Sequence, residues 1–505
     1  MAETFAELVA AEDVLLFVNA AVTATGQREF RSGQREQRLS LAFLHDYVRV
    51  NYRPVYAATL ALDINDHNAC RIIEELLRTA REATPEEKRT EGRLIAARLA
   101  ALPPQRVYRL LRALRTAGVG NRRTRAIVRD WLAARPDPAY DAVKYRAGLK
   151  DAARHFHLPL APPPLAPPPA VASSPSSPGG SELGDFLFAP GRRKKYAHPL
   201  LDAHRRAHFE QGALYELPFT AAEGFAARHG IAREVFLTRM APRMTRLERL
   251  RTERSNADKS HRGRTDLAVM PLTRLALYVL SLRRAERAGR RAELTGALRA
   301  AAGRVAGPYA GTWGRVAAVL DDSYSSSGSG EKRRRPLATA LACGYLLEAL
   351  AAPGAYAAHW TSGGTDPLLV APYGPTPLGS RILDALEHAP ERLVIVSDGW
   401  DNAPPGLAGE VLRVWRTRLD RERRTAVTHL NPVYDADVFD VRRLAPGVPT
   451  AGIRDAEDLP ALVEIARFAE GRTDPAELRA YLDGRVRRFL TREEVRRCPG
   501  SISTG

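Results

Sequence analysis

The pattern of apolar and polar positions changes near residue 312. Before that point apolar residues recur at intervals of three and four, as in Leu110, Leu111 and Leu114, which is the spacing of one helix face. Turn-forming segments such as LPPQR and AGVG separate these faces, so the sequence predicts short antiparallel helix pairs. Such pairs stack into arrays in which each pair buries a face against the next. The first part is therefore predicted to be an N-terminal HEAT-like α-helical array, either open or closed into a ring.

After residue 312 short apolar runs alternate with helical patterns. The runs RVAAVLD, AYAAHWTS, RLVIVSD and TAVTHLNPV are typical of strands, and LATALACGYLLEAL, LGSRILDALEHA and GEVLRVWRTRLDRERR have helical periodicity. Alternating strands and helices with continuously apolar strands indicate a mostly parallel sheet with helices on both faces. The predicted fold class is thus α plus α/β, in which the helical array precedes a C-terminal doubly wound domain.

A segment rich in Pro, Ala and Ser divides the helical part. Residues 159–181 contain no charged side chain and include two PPP runs, a composition that favours an extended, disordered insert. Five segments are therefore predicted. They are residues 1–158 (helical), 159–181 (disordered insert), 182–311 (basic helical continuation of the array), 312–490 (α/β domain) and 491–505 (flexible tail).

The net charge of +18 is unevenly distributed. Residues 1–311 contain 51 basic and 32 acidic residues, a net of +19, whereas the rest of the chain contains 25 basic and 26 acidic residues, a net of −1. An Arg-rich coding bias would affect both parts alike. Binding to a polyanion such as RNA is driven by neutralised phosphates and released counterions, so the excess of positive charge indicates a nucleic-acid-binding region in the first part.

Other features exclude several classes of protein. The cysteines Cys70, Cys343 and Cys498 form no CxxC pair and predict neither a zinc site nor a disulfide framework. The N-terminus carries acidic residues where a secretory signal has Lys or Arg, and no apolar run reaches ~18 residues, so we expect a cytoplasmic protein with no membrane partner. The motifs GxxxxGK, HExxH and GxSxG are missing from the sequence, which predicts no enzymatic activity.

Oxygen-bearing side chains follow three of the predicted strands. They are Asp321, Ser323 and Ser325 in a D-x-S-x-S sequence, Thr376 directly before a helix, and Asp398 in VIVSDGWDN. Ligands bind at the carboxyl ends of strands in parallel sheets, so these loops are expected to meet at one edge. Carboxylate and hydroxyl oxygens are hard ligands, which predicts a divalent-metal site with Mg²⁺ as the expected ion. The SSGSG run that follows is also typical of a mobile loop.

This constellation resembles the von Willebrand factor A domain with its metal-ion-dependent adhesion site. The resemblance implies that Ser323, Ser325 and Thr376 are direct ligands and that Asp321 and Asp398 act through water. It also implies an open coordination position for a carboxylate or phosphate of a partner. Tyr324 stands where the family usually has a small residue, so its ring is expected to limit access to that position.

A helical chain that ends in such a domain resembles the TROVE-domain Ro ribonucleoproteins. The similar stretches are NRRTRAIVRDWL, YDAVKYRAGLKDAARHFHLPL, APRMTRLERL and THLNPVYDADVFD. The resemblance implies a helical ring that binds structured non-coding, Y-like RNA and single-stranded RNA ends in RNA quality control or processing. It also implies an RNA-processing protein or an acidic protein ligand as a partner at the metal site. Charge and position within these stretches select Arg122, Arg123, Arg125, Lys144, Arg146, Arg243 and Arg246 as RNA-binding candidates.

Two functions of different classes stay open at this point. The first is an RNA-binding, Ro-like ribonucleoprotein with a metal-dependent interaction site. The alternative is a von Willebrand factor A adaptor subunit that captures a protein partner through its metal site and binds no RNA. RNA binding through several phosphate contacts predicts a steep dependence on salt. An adaptor predicts that chelation of the metal abolishes partner capture.

Overall fold

The computed structural model describes residues 5–158, 160, 181–245, 248–249, 252, 267–459 and 475–497. The chain forms two compact units, one of residues 1–72 and 266–505 and one of residues 73–265. The five segments drawn from the sequence stay predictions, and most of the predicted insert lies outside the described residues. Residues 491–497, at the start of the predicted tail, belong to a helix.

Most of the described elements are α-helices. In order they are α1 (Phe5–Thr23), α2 (Gln34–Asn51), α3 (Arg53–Ala58), α4 (Asp66–Arg78), α5 (Pro85–Ala101), α6 (Pro104–Thr116), α7 (Arg122–Ala133), α8 (Pro138–Lys144), α9 (Arg146–Phe156), α10 (Glu182–Phe188), α11 (Pro199–Arg206), α12 (Phe219–Arg228), α13 (Arg233–Met240), α14 (Leu272–Ser281), α15 (Arg284–Gly289), α16 (Arg291–Ala306), α17 (Arg335–Leu350), α18 (Leu378–Glu387), α19 (Leu407–Val414) and α20 (Pro475–Arg497). Among the residues described, no helix is both long and apolar enough to cross a bilayer.

The described residues between 73 and 265 form short helices, several of which begin at a side-chain cap. Thr84 precedes α5, and its hydroxyl accepts from the backbone N–H of Glu87 (3.2 Å), while the Glu87 carboxylate accepts from the Thr84 N–H (2.7 Å). Asn121 caps α7 by accepting from the N–H of Thr124 (2.9 Å). These caps satisfy N–H groups that have no partner within the helix, so the breaks in the sequence pattern become helix boundaries.

The other unit contains a five-stranded, fully parallel sheet. Its strands are β1 (Val316–Leu320), β2 (Tyr356–Trp360), β3 (Arg392–Val396), β4 (Ala426–Asn431) and β7 (Thr450–Gly452), and a separate hairpin pairs β5 (Tyr434–Asp435) with β6 (Asp440–Val441). The order across the sheet is β2-β1-β3-β4-β7. The predicted combination of helices with a parallel sheet is confirmed.

Helices cover both faces of this sheet. Ala317 and Val319 of β1 pack into a buried cluster with residues of α18 and α19. Leu320 points to the opposite face and lies against Gly344 of α17, where an added Cβ would be 2.9 Å from the Leu320 Cδ1 atom. Both faces of β1 are therefore apolar, which explains its uninterrupted apolar run in the sequence.

The strand order fixes where a ligand can bind. From β1 the chain crosses to β2 on one side of the sheet and later to β3 on the other side. The loops after β1 and β3 therefore diverge and leave a crevice at the carboxyl ends of these two strands, the usual binding position in open α/β sheets.

The N-terminal helix α1 packs against the last strand of the sheet. The side-chain amide of Asn19 connects β6 and β7. Its NH₂ group donates to the Asp440 carboxylate (3.0 Å), and its side-chain oxygen accepts from the N–H of Gly452 (2.9 Å). At Gly452 an added Cβ would be 2.9 Å from Thr23 Cγ2 and 3.0 Å from the backbone carbonyl oxygen of Asn19. The close approach of α1 to β7 thus requires glycine at this position.

We expect Gly452→Ala to lower the free energy of unfolding by about 1–3 kcal/mol, because the added methyl group forces α1 away from β7. Urea denaturation of the full chain measures this loss. The matched control is Gly296→Ala in α16, where an added Cβ meets no atom within 4 Å. That control should gain about 0.5–1 kcal/mol from helix propensity. Equal stability of Gly452→Ala and the unmodified chain would contradict the packing described.

Candidate metal centre

The predicted metal ligands lie around the crevice between β1 and β3. The sheet pairing continues one residue past β1, because the N–H of Asp321 donates to the Val396 carbonyl (3.0 Å). Asp398 follows β3 by two residues. The carboxyl ends of two adjacent strands thus lead into Asp321 and Asp398.

Hydrogen bonds tie the loop after β2 to the other two loops. The N–H of Tyr324 donates to the Gly374 carbonyl (3.0 Å), which joins the β1 and β2 loops. The N–H of Thr376 donates to the Asn402 side chain (2.7 Å), and the Asn402 N–H donates to the Thr376 carbonyl (3.2 Å), which joins the β2 and β3 loops. Thr376 is therefore held at the same edge of the sheet as the other predicted ligands.

The β1 loop curls so that its short polar side chains face inwards. The Asp321 carboxylate accepts from the N–H of Ser323 (2.8 Å), and the hydroxyl oxygens of Ser323 and Ser325 lie 3.3 Å apart. All three residues are buried. Alternate residues of this turn thus place their oxygens together, as the D-x-S-x-S spacing predicts.

Asp398 is buried and held by the loop that it begins. Its carboxylate accepts from the N–H of Trp400 (3.1 Å) and from the Ser325 hydroxyl. Between them, Gly399 has φ +77°, and an added Cβ would be 2.6 Å from the Arg442 carbonyl oxygen. Only glycine allows this turn and the close approach of the residue 442 backbone.

Burial dominates the electrostatics of the two carboxylates. Desolvation, followed by the charge of Asp398, raises the pKa of Asp321 to about 7. Desolvation also raises the pKa of Asp398, while the hydrogen bond from Ser325 and the charges of Arg31 and Arg442 lower it. Two buried carboxyl groups that disfavour each other's charge are stabilised by a cation placed between them.

Two nearby acidic residues have structural partners. The carboxylate of Asp322 accepts from the Thr361 hydroxyl (2.9 Å), the Ser362 N–H (2.8 Å) and the Ser362 hydroxyl (2.6 Å), so it joins the ends of β1 and β2. Asp401 accepts from the N–H of Ala408 (2.7 Å) in the first turn of α19. Asp322 therefore secures the loop, and Asp401 stabilises the start of a helix.

The donor set fits a hard divalent cation. Two carboxylates and three hydroxyl groups converge on one edge of the sheet, and the hydroxyl of Ser326, which is also buried, has no hydrogen-bond partner among the described residues. The described part of the chain contains no cluster of three or more His, Cys, Asp and Glu side chains that could hold a metal. A site here consequently depends on hydroxyl ligands, which suit Mg²⁺ or Mn²⁺ and not Zn²⁺.

Four side chains at the mouth of the site form what we call the rim: Arg31, Tyr324, Trp400 and Arg442. The guanidinium carbons of Arg31 and Arg442 lie 4.2 Å and 3.7 Å from the centroid of the Trp400 ring. Tyr324 is 64% exposed, and its ring meets the edge of Phe30 at 5.7 Å. The two arginines were missed from the sequence, since neither lies near a ligand in the chain. The sequence did contain one signal for this surface, namely Trp400, which lies two residues after the predicted ligand Asp398.

The segment that carries Phe30 and Arg31 is fixed by a buried ion pair. Glu29 and Lys332 form this pair, and their side chains are only 3% and 10% exposed. Lys332 comes directly after the serine- and glycine-rich loop that follows β1. The ion pair thus attaches the segment between α1 and α2 to the loop that supplies the predicted ligands.

The RNA-binding candidates fall into three groups. Arg122, Arg125 and Arg243 are exposed. The other described candidates make internal contacts, and Arg246 lies outside the described residues. These contacts join Arg123 to Glu91 (3.1 Å), Lys144 to the Tyr140 hydroxyl (3.0 Å) and to Glu248 (3.6 Å), and Arg146 to the Phe186 carbonyl (2.8 Å).

A row of exposed arginines on α6 was not predicted from the sequence. Arg109, Arg112 and Arg115 recur every three residues and are exposed. Tyr108 of α6 meets Trp131 of α7 with ring centroids 5.4 Å apart, so the two helices are in contact. We refer to the exposed set as the α6–α7 arginines. Its members are Arg109, Arg112, Arg115, Arg122 and Arg125.

Comparison with known proteins adds no relative. No known family model matches the chain, and no curated protein is significantly similar to it.

Proposed function

We propose that the chain is an RNA-binding, Ro-like protein whose α/β domain is a von Willebrand factor A-like domain with a metal-dependent interaction site. The distribution of charge between the two compact units carries this proposal. Residues 73–265 contain 36 basic and 20 acidic residues, a net of +16, which leaves 40 basic and 38 acidic residues, a net of +2, in the other unit. Nearly all the excess positive charge thus belongs to one helical unit.

The α6–α7 arginines are the best-supported phosphate contacts within that unit. Among the described residues, Asp151 is the carboxylate that pairs with the α6 row, at 3.7 Å from Arg112 and 3.2 Å from Arg115. Guanidinium groups bind phosphate oxygens through paired N–H donors, and each neutralised phosphate releases counterions. An exposed, under-compensated row of arginines therefore favours a polyanion such as structured non-coding RNA.

In the proposed metal site, Ser323, Ser325 and Thr376 would supply direct oxygen ligands, and Asp321 and Asp398 would act through water. A bound cation would neutralise the buried carboxylate pair and would supply a Lewis-acidic position for a partner anion. The protein's own part is to hold the oxygens in place through the loop hydrogen bonds and the Asp322 contacts.

The buried carboxylate site also supports the second candidate, a metal-dependent adaptor that captures a protein and binds no RNA. In that case the α6–α7 arginines would contact acidic protein surfaces. The two candidates differ in whether RNA binds at all.

Replacing Arg109, Arg112, Arg122 and Arg125 together with glutamine tests the proposal. RNA binding by the unmodified chain should weaken steeply with salt, and the variant should lower the slope of log K against log salt by ~0.7–0.9 for each phosphate that it no longer neutralises. Fluorescence anisotropy with a structured RNA hairpin across a salt series measures both slopes.

The matched control replaces four exposed arginines of the other unit with glutamine, namely Arg413, Arg418, Arg421 and Arg424. This control removes the same charge and should leave the slope unchanged. A chain that retains no RNA at low salt would exclude the RNA-binding function and leave the adaptor. An equal decrease of the slope in both variants would exclude the α6–α7 arginines as the contact surface.

A further inference from the structure

The rim places two positive charges beside the buried carboxylate pair. Arg31 is exposed and Arg442 is half-buried, and both guanidinium groups lie over the Trp400 ring. Trp400 in turn donates its backbone N–H to the carboxylate of Asp398. The turn from Asp398 to Trp400 thus joins a predicted metal ligand to an aromatic ring that contacts two guanidinium groups.

The backbone that carries each of these guanidinium groups is held in place by a different part of the chain. The Glu29–Lys332 pair anchors the segment before Arg31, and the N–H of Glu29 donates to the Ser32 carbonyl (3.1 Å) to close a turn around it. The backbone of Arg442 is fixed by the Asn431 amide, which donates to the Arg442 carbonyl (2.9 Å). Positioned donors lose little conformational entropy when they bind a ligand.

The guanidinium donors of the rim select the ligand. A divalent cation would offset Asp321 and Asp398, and Asp435, whose carboxylate lies 3.7 Å from the Arg442 guanidinium group, offsets part of the positive charge of the rim. A ligand carboxylate brings one negative charge and two oxygens, whereas a phosphomonoester brings about −1.5 to −2 at pH 7 and three terminal oxygens. Planar guanidinium forks match phosphate oxygens in pairs. Two guanidinium groups offer more N–H donors than the two oxygens of a carboxylate can pair with, so the donors of the rim favour a phosphomonoester over a carboxylate.

Tyr324 adds an aromatic surface next to this anion site. Its residue lies between the predicted ligands Ser323 and Ser325, and its ring is 64% exposed although one edge meets Phe30. Exposed aromatic rings stack on nucleobases with little sequence preference. The Phe30 ring that meets Tyr324 also lies 5.7 Å from the Arg31 guanidinium carbon, so a phosphate on Arg31 would place an attached nucleoside near Tyr324.

We propose that the rim binds the phosphomonoester of a nucleotide, with Arg31 and Arg442 on the phosphate and Tyr324 against the base. The nucleotide is either a free nucleoside monophosphate or the phosphorylated end of an RNA strand. This inference rests on the proposed metal site, because the cation supplies the charge that offsets Asp321 and Asp398.

Calorimetry of the full chain with AMP and with adenosine, in Mg²⁺ and in EDTA, tests the inference. AMP should bind at least about tenfold more tightly than adenosine in Mg²⁺, because adenosine cannot form the hydrogen bonds that a charged phosphate accepts. Arg31→Gln and Arg442→Gln should each weaken AMP binding about fivefold or more for the same reason. Arg31→Lys retains the charge without the planar fork and should be intermediate.

Two additional probes identify the source of the phosphate. Tighter binding of a 5′-phosphorylated RNA oligonucleotide than of its 5′-hydroxyl form supports an RNA end, and binding of AMP alone supports a free nucleotide. Tighter binding of an acidic peptide than of AMP would overturn the inference in favour of a carboxylate.

Titration with Mn²⁺, followed by electron paramagnetic resonance, separates the inference from the proposed function. Mn²⁺ binding that persists in Arg31→Gln, together with weaker AMP binding, supports a rim that acts on the phosphate. Equal binding of AMP and adenosine by a chain that does bind Mn²⁺ would overturn only the inference. Failure to bind Mn²⁺ would overturn the metal site and the inference with it, while RNA binding by the α6–α7 arginines is measured independently.

Discussion

Replacing Asp398 with asparagine is expected to change stability in opposite directions with and without a divalent cation. In EDTA the variant should be more stable than the unmodified chain by about 1 kcal/mol, the free energy of roughly one pKa unit, because it removes one of two buried carboxylates whose pKa values are raised by burial. In Mg²⁺ at about 100 times its dissociation constant the unmodified chain should gain about 2.7 kcal/mol. The variant should gain little.

Thermal unfolding in EDTA and in Mg²⁺ measures both effects. Asp384→Asn is the matched control, because it removes a half-buried surface carboxylate of the same domain that pairs with Arg381 (2.8 Å). It should respond to Mg²⁺ like the unmodified chain. Equal stabilisation of Asp398→Asn and the unmodified chain by Mg²⁺ would mean that any cation binds elsewhere.

Replacing Lys332 with methionine should cost about 3 kcal/mol of stability near pH 7, because it leaves the Glu29 carboxylate buried without its partner. Burial already raises the pKa of Glu29, and the charge of Lys332 lowers it. Without Lys332 the folded-state pKa rises further above the ordinary value near 4.5. A carboxyl group of this kind binds its proton more readily in the folded state, so the loss should shrink as the pH falls towards that value.

Urea denaturation near pH 7 and near pH 5 tests this expectation. The double variant Glu29→Gln/Lys332→Met should recover much of the loss, since no charge is then buried. Arg424→Met breaks an exposed pair with Glu422, whose side chains are 81% and 72% exposed, and should have little effect. A loss in Lys332→Met that does not depend on pH would argue against an unpaired carboxylate as its cause.

The strands and the candidate ligands could be predicted from the sequence because their signals are local. A strand buried on both faces needs a continuous apolar run, and VAAVL and RLVIV provide one each. The polar residues directly after these runs must lie at the carboxyl edge of a parallel sheet. The pattern alone therefore predicted that four candidate ligands lie at the same edge of the sheet, namely Asp321, Ser323, Ser325 and Asp398.

The partners of individual charged side chains could not be predicted in this way. Arg146 and Lys144 looked like phosphate contacts, yet Arg146 donates to the Phe186 carbonyl and lies 4.7 Å from that ring, and Lys144 bonds to Tyr140. The α6 arginines had no motif and were overlooked. Whether a guanidinium group forms internal hydrogen bonds or is exposed to solvent depends on neighbours that are distant in the chain.

The sequence by itself determined the local features of this protein: helical periodicity before residue 312, alternating strands and helices after it, and oxygen ligands at three strand ends. Only the tertiary structure decided that the first 72 residues fold with the C-terminal part and that Arg31 joins Trp400 and Arg442 at the mouth of the candidate site. The reason is physical. Backbone hydrogen bonding and side-chain periodicity act over a few residues, whereas the packing of α1 on β7 and the Glu29–Lys332 pair depend on surfaces that exist only after folding.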